Sequence, residues 1–373
     1  MRIIVSGGGT GGHIYPAITI IKAIKNMVDS CEVLYVGTQY GLEADIIPKE
    51  GLVFATIEVH GFERRLSWGN VANVFKAMNS VWHSKKIIKN FKPDIVIGTG
   101  GYVCGPILLA ASLTGIPTLV QEQNVIPGVT NKILARFVKK IAVGYEEAAK
   151  YFYDPAKIVF TGNPIREDVI SATREAGIAE LGLDPKKRTV LISGGSRGAR
   201  SINQAMLKVH QHFSGRKDIQ LLHVTGQSEY NGIVRSVGNF KQCGIDDACG
   251  GNIIIKPYLY NMPQALAAAD LAIFRAGAIG LAELTARGIP AILVPYPYAA
   301  ENHQEFNASV MARQGAAVVI SDAQLDGYKL VETIEELVGN PDKLNNMASA
   351  SKGLGRPTAA NDIARIALSL INS

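Results

Sequence analysis

The sequence is short of several things, and each shortage excludes something. Its 373 residues hold four cysteines, Cys31, Cys104, Cys243 and Cys249. They form no CxxC pair and have no nearby histidine partner. A disulfide framework and a structural zinc are therefore not expected, and a reducing cytosol is. No apolar run is long enough to cross a bilayer, because the longest, residues 105–120, is broken by Pro106, Gly115 and Pro117. The first residues enter a strand at once, which leaves no secretory signal to expect. No Asp-x-Asp sits at a strand end, so no essential metal is expected, and no cofactor. Acids are scarce in one place. Between His60 and Lys92 a single acid, Glu63, faces seven Lys and Arg (Arg64, Arg65, Lys76, Lys85, Lys86, Lys89 and Lys92), a surplus as large as the whole chain's net charge of +6. So local a basic surface points to an anionic partner. It lacks the interleaved exposed aromatics of a base-stacking platform, so nucleic acid is not the expected partner.

What is present is the material of a globular α/β protein, with 47% hydrophobic and 19% charged residues and 38 glycines. The length predicts two domains. Short β-branched runs alternate with longer amphipathic stretches. Strands are predicted near 2–6, 32–37, 53–59, 94–98, 117–121, 140–143 and 157–160. A second series falls near 188–193, 219–224, 252–255, 270–274, 290–294 and 316–320. The runs are continuous rather than alternating, as in a parallel sheet covered on both faces. The βαβα rhythm predicts two doubly wound Rossmann-like domains. Thr161-Gly162-Asn163-Pro164 is the expected hinge. Residues 357–370 read as a final helix that could return to the first domain.

Two glycine-rich loops each follow a strand and open a helix. The first is Gly7-Gly8-Gly9-Thr10-Gly11-Gly12-His13. Such a loop presents backbone N–H groups and a positive helix end to an anion. The dinucleotide pattern also needs an acid at the end of the second strand, and Val36-Gly37-Thr38 has none. A P-loop needs Lys where His13 stands. Both common nucleotide motifs fail. His13 lies at the positive end of the helix, which disfavours the imidazolium and leaves a neutral ring able to take a proton. The alternative is that it only caps the helix.

The second loop, Gly194-Gly195-Ser196-Arg197-Gly198-Ala199-Arg200, suits a diphosphate. Arg275-Ala276-Gly277-Ala278-Ile279-Gly280 makes a third strand-to-helix turn, with Glu283 in the first helical turns. Glu283 could accept bonds from two ribose hydroxyls, or serve simply as a helix-dipole acid. The polar run Glu301-Asn302-His303-Gln304 fits a sugar better than a metal ion.

These motifs together resemble the MurG family of N-acetylglucosaminyltransferases, and the resemblance covers almost the whole chain. Its marks are Gly8 to His13, Gly100-Gly-Tyr-Val-Cys-Gly-Pro106, Glu122-Gln-Asn124, Gly162-Asn-Pro-Ile-Arg166, Gly194 to Arg200, Arg275 to Ala278 with Glu283, and His303-Gln304. Gly280, Gln121 and Arg197 depart from the usual Thr, His and Gln. The resemblance implies a GT-B fold, two Rossmann-like domains facing a central cleft. It places an acceptor-binding, membrane-associating domain at 1–163, a UDP-GlcNAc-binding domain at 164–356 and a C-terminal helix at 357–373. It implies inverting transfer of GlcNAc from UDP-GlcNAc to the C4 hydroxyl of undecaprenyl-diphosphoryl-MurNAc-pentapeptide, on the cytoplasmic face of the membrane, in peptidoglycan synthesis.

By motif, Thr10, Gly11, Gly12, Asn124, Arg166, Ser196 and Gln304 match donor-binding positions. Leu259 matches the residue whose backbone meets uracil. Ala278, Ile279, Gly280 and Glu283 match the loop for diphosphate and ribose. The first glycine loop also resembles the place for the acceptor's diphosphate. His13 is the expected catalytic base. Residues 60–92 are the expected contact with anionic inner-membrane lipid, through Val71, Val74, Phe75, Met78, Val81 and Trp82 among lysines. The competing readings are another GT-B enzyme, such as a UDP-GlcNAc 2-epimerase or a transferase for a different lipid acceptor, and a non-enzymatic binding protein.

Overall fold

The structure is a computed structural model that describes residues 1–59, 69–195, 198–238 and 251–371, with side chains of residues 69–77 left aside. The chain forms two compact units, Met1–Ile165 with Pro357–Ser373, and Arg166–Arg356.

In the first unit, strands β1 (Arg2–Ser6), β2 (Glu32–Gly37), β3 (Val53–Thr56), β4 (Ile95–Gly98), β5 (Thr118–Glu122), β6 (Lys140–Val143) and β7 (Ile158–Phe160) form one sheet. Its helices are α1 (Gly11–Lys25), α2 (Leu42–Lys49), α3 (Gly69–Phe91), α4 (Cys104–Leu113) and α5 (Val129–Leu134). The order is β3-β2-β1-β4-β5-β6-β7, and every pairing is parallel.

Strand periodicity sends alternate residues to opposite faces. Ile4, Leu34, Val36, Val96 and Val120 pack against Ile107 and Leu108 of α4 and Ile88 of α3. Ile3, Val5, Val33, Tyr35 and Ile97 pack on the other face against Ile14, Ile18, Ile20, Ile21 and Ile24 of α1. With both faces covered, each strand is an unbroken apolar run.

The second unit repeats the plan. Its helices α6 (Glu167–Ser171), α7 (Arg174–Leu181), α8 (Arg200–Phe213), α9 (Tyr230–Gly238), α10 (Met262–Ala268), α11 (Ala278–Arg287), α12 (His303–Arg313), α13 (Gly327–Val338) and α14 (Pro341–Leu354) alternate with β8 (Arg188–Ser193), β9 (Ile219–Val224), β10 (Ile253–Lys256), β11 (Leu271–Phe274), β12 (Ala291–Leu293) and β13 (Ala317–Val319). The sheet order is β10-β9-β8-β11-β12-β13, again all parallel.

Ile202, Met206, Val209 and Phe213 recur every three or four residues and give α8 one apolar face, which packs with Val190, Ile192 and Leu221 beneath α13 residues Leu330, Ile334 and Leu337. Each such side chain contributes about 1.5–3 kcal/mol when fully buried. The last helix, α15 (Ala359–Ile371), belongs to the first unit, where Ile363, Ala364 and Ala367 join the core beside α1.

Both sheets change winding direction once, between β1 and β4 in the first unit and between β8 and β11 in the second. Ligands of open α/β sheets bind beyond the strand ends at such switch points.

Candidate functional site

The two switch points are flanked by the motifs that the sequence singles out. In the first unit they are the loop after β1 and the Gly100-Gly101 turn after β4. Thr10 is the N-cap of α1 and makes no side-chain cap bond. His13 and Ile14 amides donate to the Thr10 carbonyl, at 3.1 and 3.2 Å. The amides of Thr10, Gly11 and Gly12 find no acceptor among the described residues. These three amides are the open donors of this loop, of the kind that can meet an anion. Two further glycine amides are not open, contrary to a fully bare loop: Gly8 donates to the Gly100 carbonyl, at 3.3 Å, and Gly9 to the Glu43 carboxylate, at 3.0 Å.

His13 is fixed from several sides. Its Nδ1 lies 2.9 Å from the Gly8 carbonyl. A carbonyl only accepts, so Nδ1 carries the hydrogen, and in the neutral ring Nε2 holds the lone pair. Thr99 Oγ1 donates to the His13 carbonyl at 2.7 Å. Gly100 has φ +106, and a Cβ there would stand 3.0 Å from His13 Nε2. The ring edge therefore needs glycine at position 100.

The same Cβ position lies 3.6 Å from Asn131 Nδ2. Asn131 donates to Glu122 at 2.7 Å, and the Asn124 amide donates to the other oxygen of Glu122 at 2.9 Å. His13, Gly100, Asn131, Glu122 and Asn124 thus form one connected group at the ends of β4 and β5. Cys104 ties the switch point together, its single thiol hydrogen shared between the Ser6 and Gly100 carbonyls, each 2.9 Å from Sγ. Burial pushes that thiol up to about 12, so it is no nucleophile.

In the second unit, three elements end on one side of the sheet. Gly277 is the N-cap of α11 and offers no side-chain cap. The amides of Ala278, Ile279 and Gly280 have no acceptor among the described residues. They are oriented donors at a positive helix end, an arrangement that can hold an anion. α8 opens in the same way from Ala199, without a side-chain cap. Gly198 has φ +75, and a Cβ there would fall 2.1 Å from the Thr225 carbonyl. Ser196, expected at this site, and Arg197 lie outside the described residues.

Glu283 faces Arg166. The guanidinium Nη2 donates to Oε1 at 3.3 Å, and Arg166 also lies 3.7 Å from Asp168. Desolvation raises the Glu283 carboxyl, and the Arg166 charge opposes that rise. One carboxylate oxygen is thus held by Arg166, and Oε2 remains to accept hydroxyls. Leu259 lies between β10 and α10 with its side chain buried. Its backbone N–H and C=O bond no other described residue.

Gln304 does more than the sequence foretells. Its Oε1 accepts from the Ala276 amide at 3.1 Å and from the Tyr296 amide at 2.9 Å, tying the ends of β11 and β12 together. It follows two left-handed non-glycine residues, Glu301 at φ +53 and Asn302 at φ +56. Such backbone costs about 1–3 kcal/mol per residue and concentrates at functional sites. Arg275 is a second strut. It donates to Asp322 at 2.6 Å, Ser201 at 2.8 Å, and the Val294 and Pro295 carbonyls at 3.1 Å each. Asp322 and Ser201 carry no motif signal, and nothing in the sequence marks them.

The chain matches the models of the glycosyltransferase family 28 N-terminal domain, over residues 3–143, and C-terminal domain, over residues 189–363. It is 48% identical over 363 residues to the UDP-N-acetylglucosamine--N-acetylmuramyl-(pentapeptide) pyrophosphoryl-undecaprenol N-acetylglucosamine transferase of Desulforamulus reducens, covering 97% of each chain. It is 47% identical to the enzyme of the same name from Moorella thermoacetica over the full length of both. The crystal structure of Acinetobacter baumannii MurG superposes with a TM-score of 0.77 at 26% identity over 99% of each chain. A UDP-GlcNAc 2-epimerase from Neisseria meningitidis shares the fold, at a TM-score of 0.67 and 12% identity, covering 99% of this chain and all of that one. The chain belongs to glycosyltransferase family 28, within it to the MurG family of N-acetylglucosaminyltransferases, and its two parallel-sheet units are those of the GT-B fold.

Proposed function

We propose that this chain transfers GlcNAc from UDP-GlcNAc to the C4 hydroxyl of undecaprenyl-diphosphoryl-MurNAc-pentapeptide, with inversion, as a peripheral enzyme on the cytoplasmic face of the membrane. The observation that carries the reading is the pairing of capless helix N-termini with switch points in both units. Each unit then has its own diphosphate to hold. The second unit takes UDP-GlcNAc. Leu259 backbone meets the uracil, Glu283 and Arg166 the ribose, Ala278 to Gly280 and Ser196 the diphosphate, and Gln304 the sugar. The first unit takes the acceptor, its diphosphate on the amides of Thr10, Gly11 and Gly12.

The chemistry is one displacement. The acceptor hydroxyl attacks the anomeric carbon, its proton passes to His13 Nε2, and the bond to UDP breaks. The Nδ1 bond to Gly8 stabilises the imidazolium so formed. Charge gathering on the leaving diphosphate is met by fixed amides rather than by groups that must reorganise.

Membrane attachment is assigned to the first unit. Met78 and Trp82 of α3 are exposed, at 64% and 56%, and the Lys86 ammonium lies 3.5 Å over the Trp82 ring. Val81 is half-buried and packs toward the core, as a core-facing side of α3 requires. Val129, Ile133 and Phe137 are also exposed, with Lys132, Lys139 and Lys140 in the same stretch of chain. α4 packs against both α3 and α5. Arg64 and Arg65, and the side chains of Val71, Val74, Phe75 and Lys76, lie outside the described residues. Among the described residues no helix is long and apolar enough to cross a membrane. The deciding experiment is incubation with UDP-GlcNAc and the lipid-linked muramoyl pentapeptide. A β-linked disaccharide product supports the reading. Release of ManNAc and UDP from the donor alone would replace it with an epimerase.

A further inference from the structure

Glu43 is the one carboxylate that touches the first glycine loop among the described residues, and it is fully buried. It stands in the first turn of α2, six residues beyond the end of β2, in a place that the sequence assigns to no function. Three donors converge on it. The Thr38 amide reaches Oε1 at 3.1 Å and the Thr38 hydroxyl reaches it at 2.7 Å. The Gly9 amide reaches Oε2 at 3.0 Å. No Lys or Arg pairs with it among the described residues, so backbone, hydroxyl and the positive end of α2 are its only compensation. The fit is close: a Cβ on Gly8 would meet Oε1 at 2.6 Å, and one on Gly41 would meet it at 2.3 Å.

The geometry points to Glu43 as a positioning residue for the acceptor's diphosphate, acting through Gly9. By turning the Gly9 amide inward, the carboxylate fixes the Gly8–Gly9 peptide plane, one peptide before the Thr10 amide. The Thr10, Gly11 and Gly12 amides then all lie on the open side, as a diphosphate requires. Glu43 itself touches no substrate. This assignment rests on the proposed transfer reaction, which gives the first loop an acceptor to hold.

Glu43→Gln isolates the Gly9 bond. A glutamine keeps one carbonyl oxygen for Thr38 and turns an NH2 toward the Gly9 N–H, which then has no acceptor. A hydrogen bond to a charged group contributes enough to predict about a tenfold rise in KM for the lipid-linked acceptor. KM for UDP-GlcNAc should change by less than about twofold, since its diphosphate has separate amides in the second unit. Hydrogen exchange of the apo protein gives a readout independent of turnover: residues 7–12 should exchange faster in E43Q while the β1 and α1 interior stays protected. Unchanged loop exchange, or a rise in donor KM equal to that of the acceptor, overturns the assignment. Absence of transfer by the wild-type enzyme overturns the reaction instead, and the exchange data then still decide whether Glu43 orders the loop.

Discussion

Acid should loosen the second unit before it affects any carboxylate pairing there, through two histidines in its core. His210 of α8 and His223 of β9 are both fully buried, 3.0 Å apart between Nε2 and Nδ1. His223 Nε2 lies 3.0 Å from Asn203 Oδ1, and the Asn203 amide nitrogen donates to the Thr225 carbonyl at 2.9 Å. The chain of donors is thereby set: Asn203 Oδ1 must accept from His223, so His223 Nδ1 accepts from His210. No site in this chain welcomes a proton. Burial lowers His210 from 6.5 to about 3, and burial with the neighbouring ring lowers His223 well below its usual range.

The sign follows from linkage. Both groups bind protons more readily in the unfolded chain, so stability is complete above the unfolded value near 6.5 and falls as pH drops below it. Between pH ~7.5 and ~5.5, His210 alone removes about 1.4 kcal/mol, or about a tenfold increase in the opening equilibrium, and His223 adds in the same direction. Hydrogen exchange of α8 and β9 amides, corrected for the intrinsic pH dependence of exchange, measures this. Glu335, held low by His212 and Arg216, and Asp218, held low by Arg216, give up their share only as pH falls through and below the ordinary carboxylate range, and so define a separate, lower window. The His210→Gln variant keeps a donor to His223 and should lose the His210 share of the slope. An opening free energy in α8 and β9 that stays level across this interval would refute the neutral buried pair.

Three further expectations follow from the site. Replacing His13 by Ala should lower kcat by at least about a hundredfold, the usual scale of a lost general base, with UDP-GlcNAc affinity by calorimetry unchanged. Glu283→Gln should weaken UDP-GlcNAc binding by about tenfold, because it forfeits the charge that holds both Arg166 and the ribose hydroxyls; equal affinity would remove Glu283 from the donor site. Reversing Lys85, Lys86 and Lys89 to Glu should release the enzyme from anionic vesicles in a flotation assay, since each cation near such a surface contributes about 1 kcal/mol; retention at low salt would move the membrane contact elsewhere.

The strands were legible because a doubly covered parallel strand leaves an apolar run that nothing else interrupts. Ile3-Ile4-Val5 and Leu271-Ala272-Ile273 are of this kind, and both are core strands. Glycine loops were legible for a related reason, since turns of this tightness tolerate little else. Glu43 was not. On a short amphipathic helix an acid in the first turn reads as a dipole partner facing water, and only the return of α2 under the loop reveals its burial. His210 hides in the same way within the α8 pattern, where the imidazole occupies a position that periodicity assigns to the core but chemistry to the surface. Asp322 and Ser201 meet Arg275 from 47 and 74 residues away along the chain. No local signal encodes such a meeting.

The helix α15 has a consequence for the order of events during synthesis. The second unit is, in chain terms, an insertion between residues 165 and 357 of the first. It can complete its sheet and core while the last residues are still being made. The unit that carries His13 cannot, because one layer against α1 arrives only with the final helix. Until then Ile363, Ala364 and Ala367 are missing from the surface that α1 must bury, and the loop that α1 anchors has an unfinished foundation. The first glycine loop is therefore completed after the second unit, and a chain stopped at Arg356 should yield a folded second unit beside a first unit whose glycine-loop end is weakened.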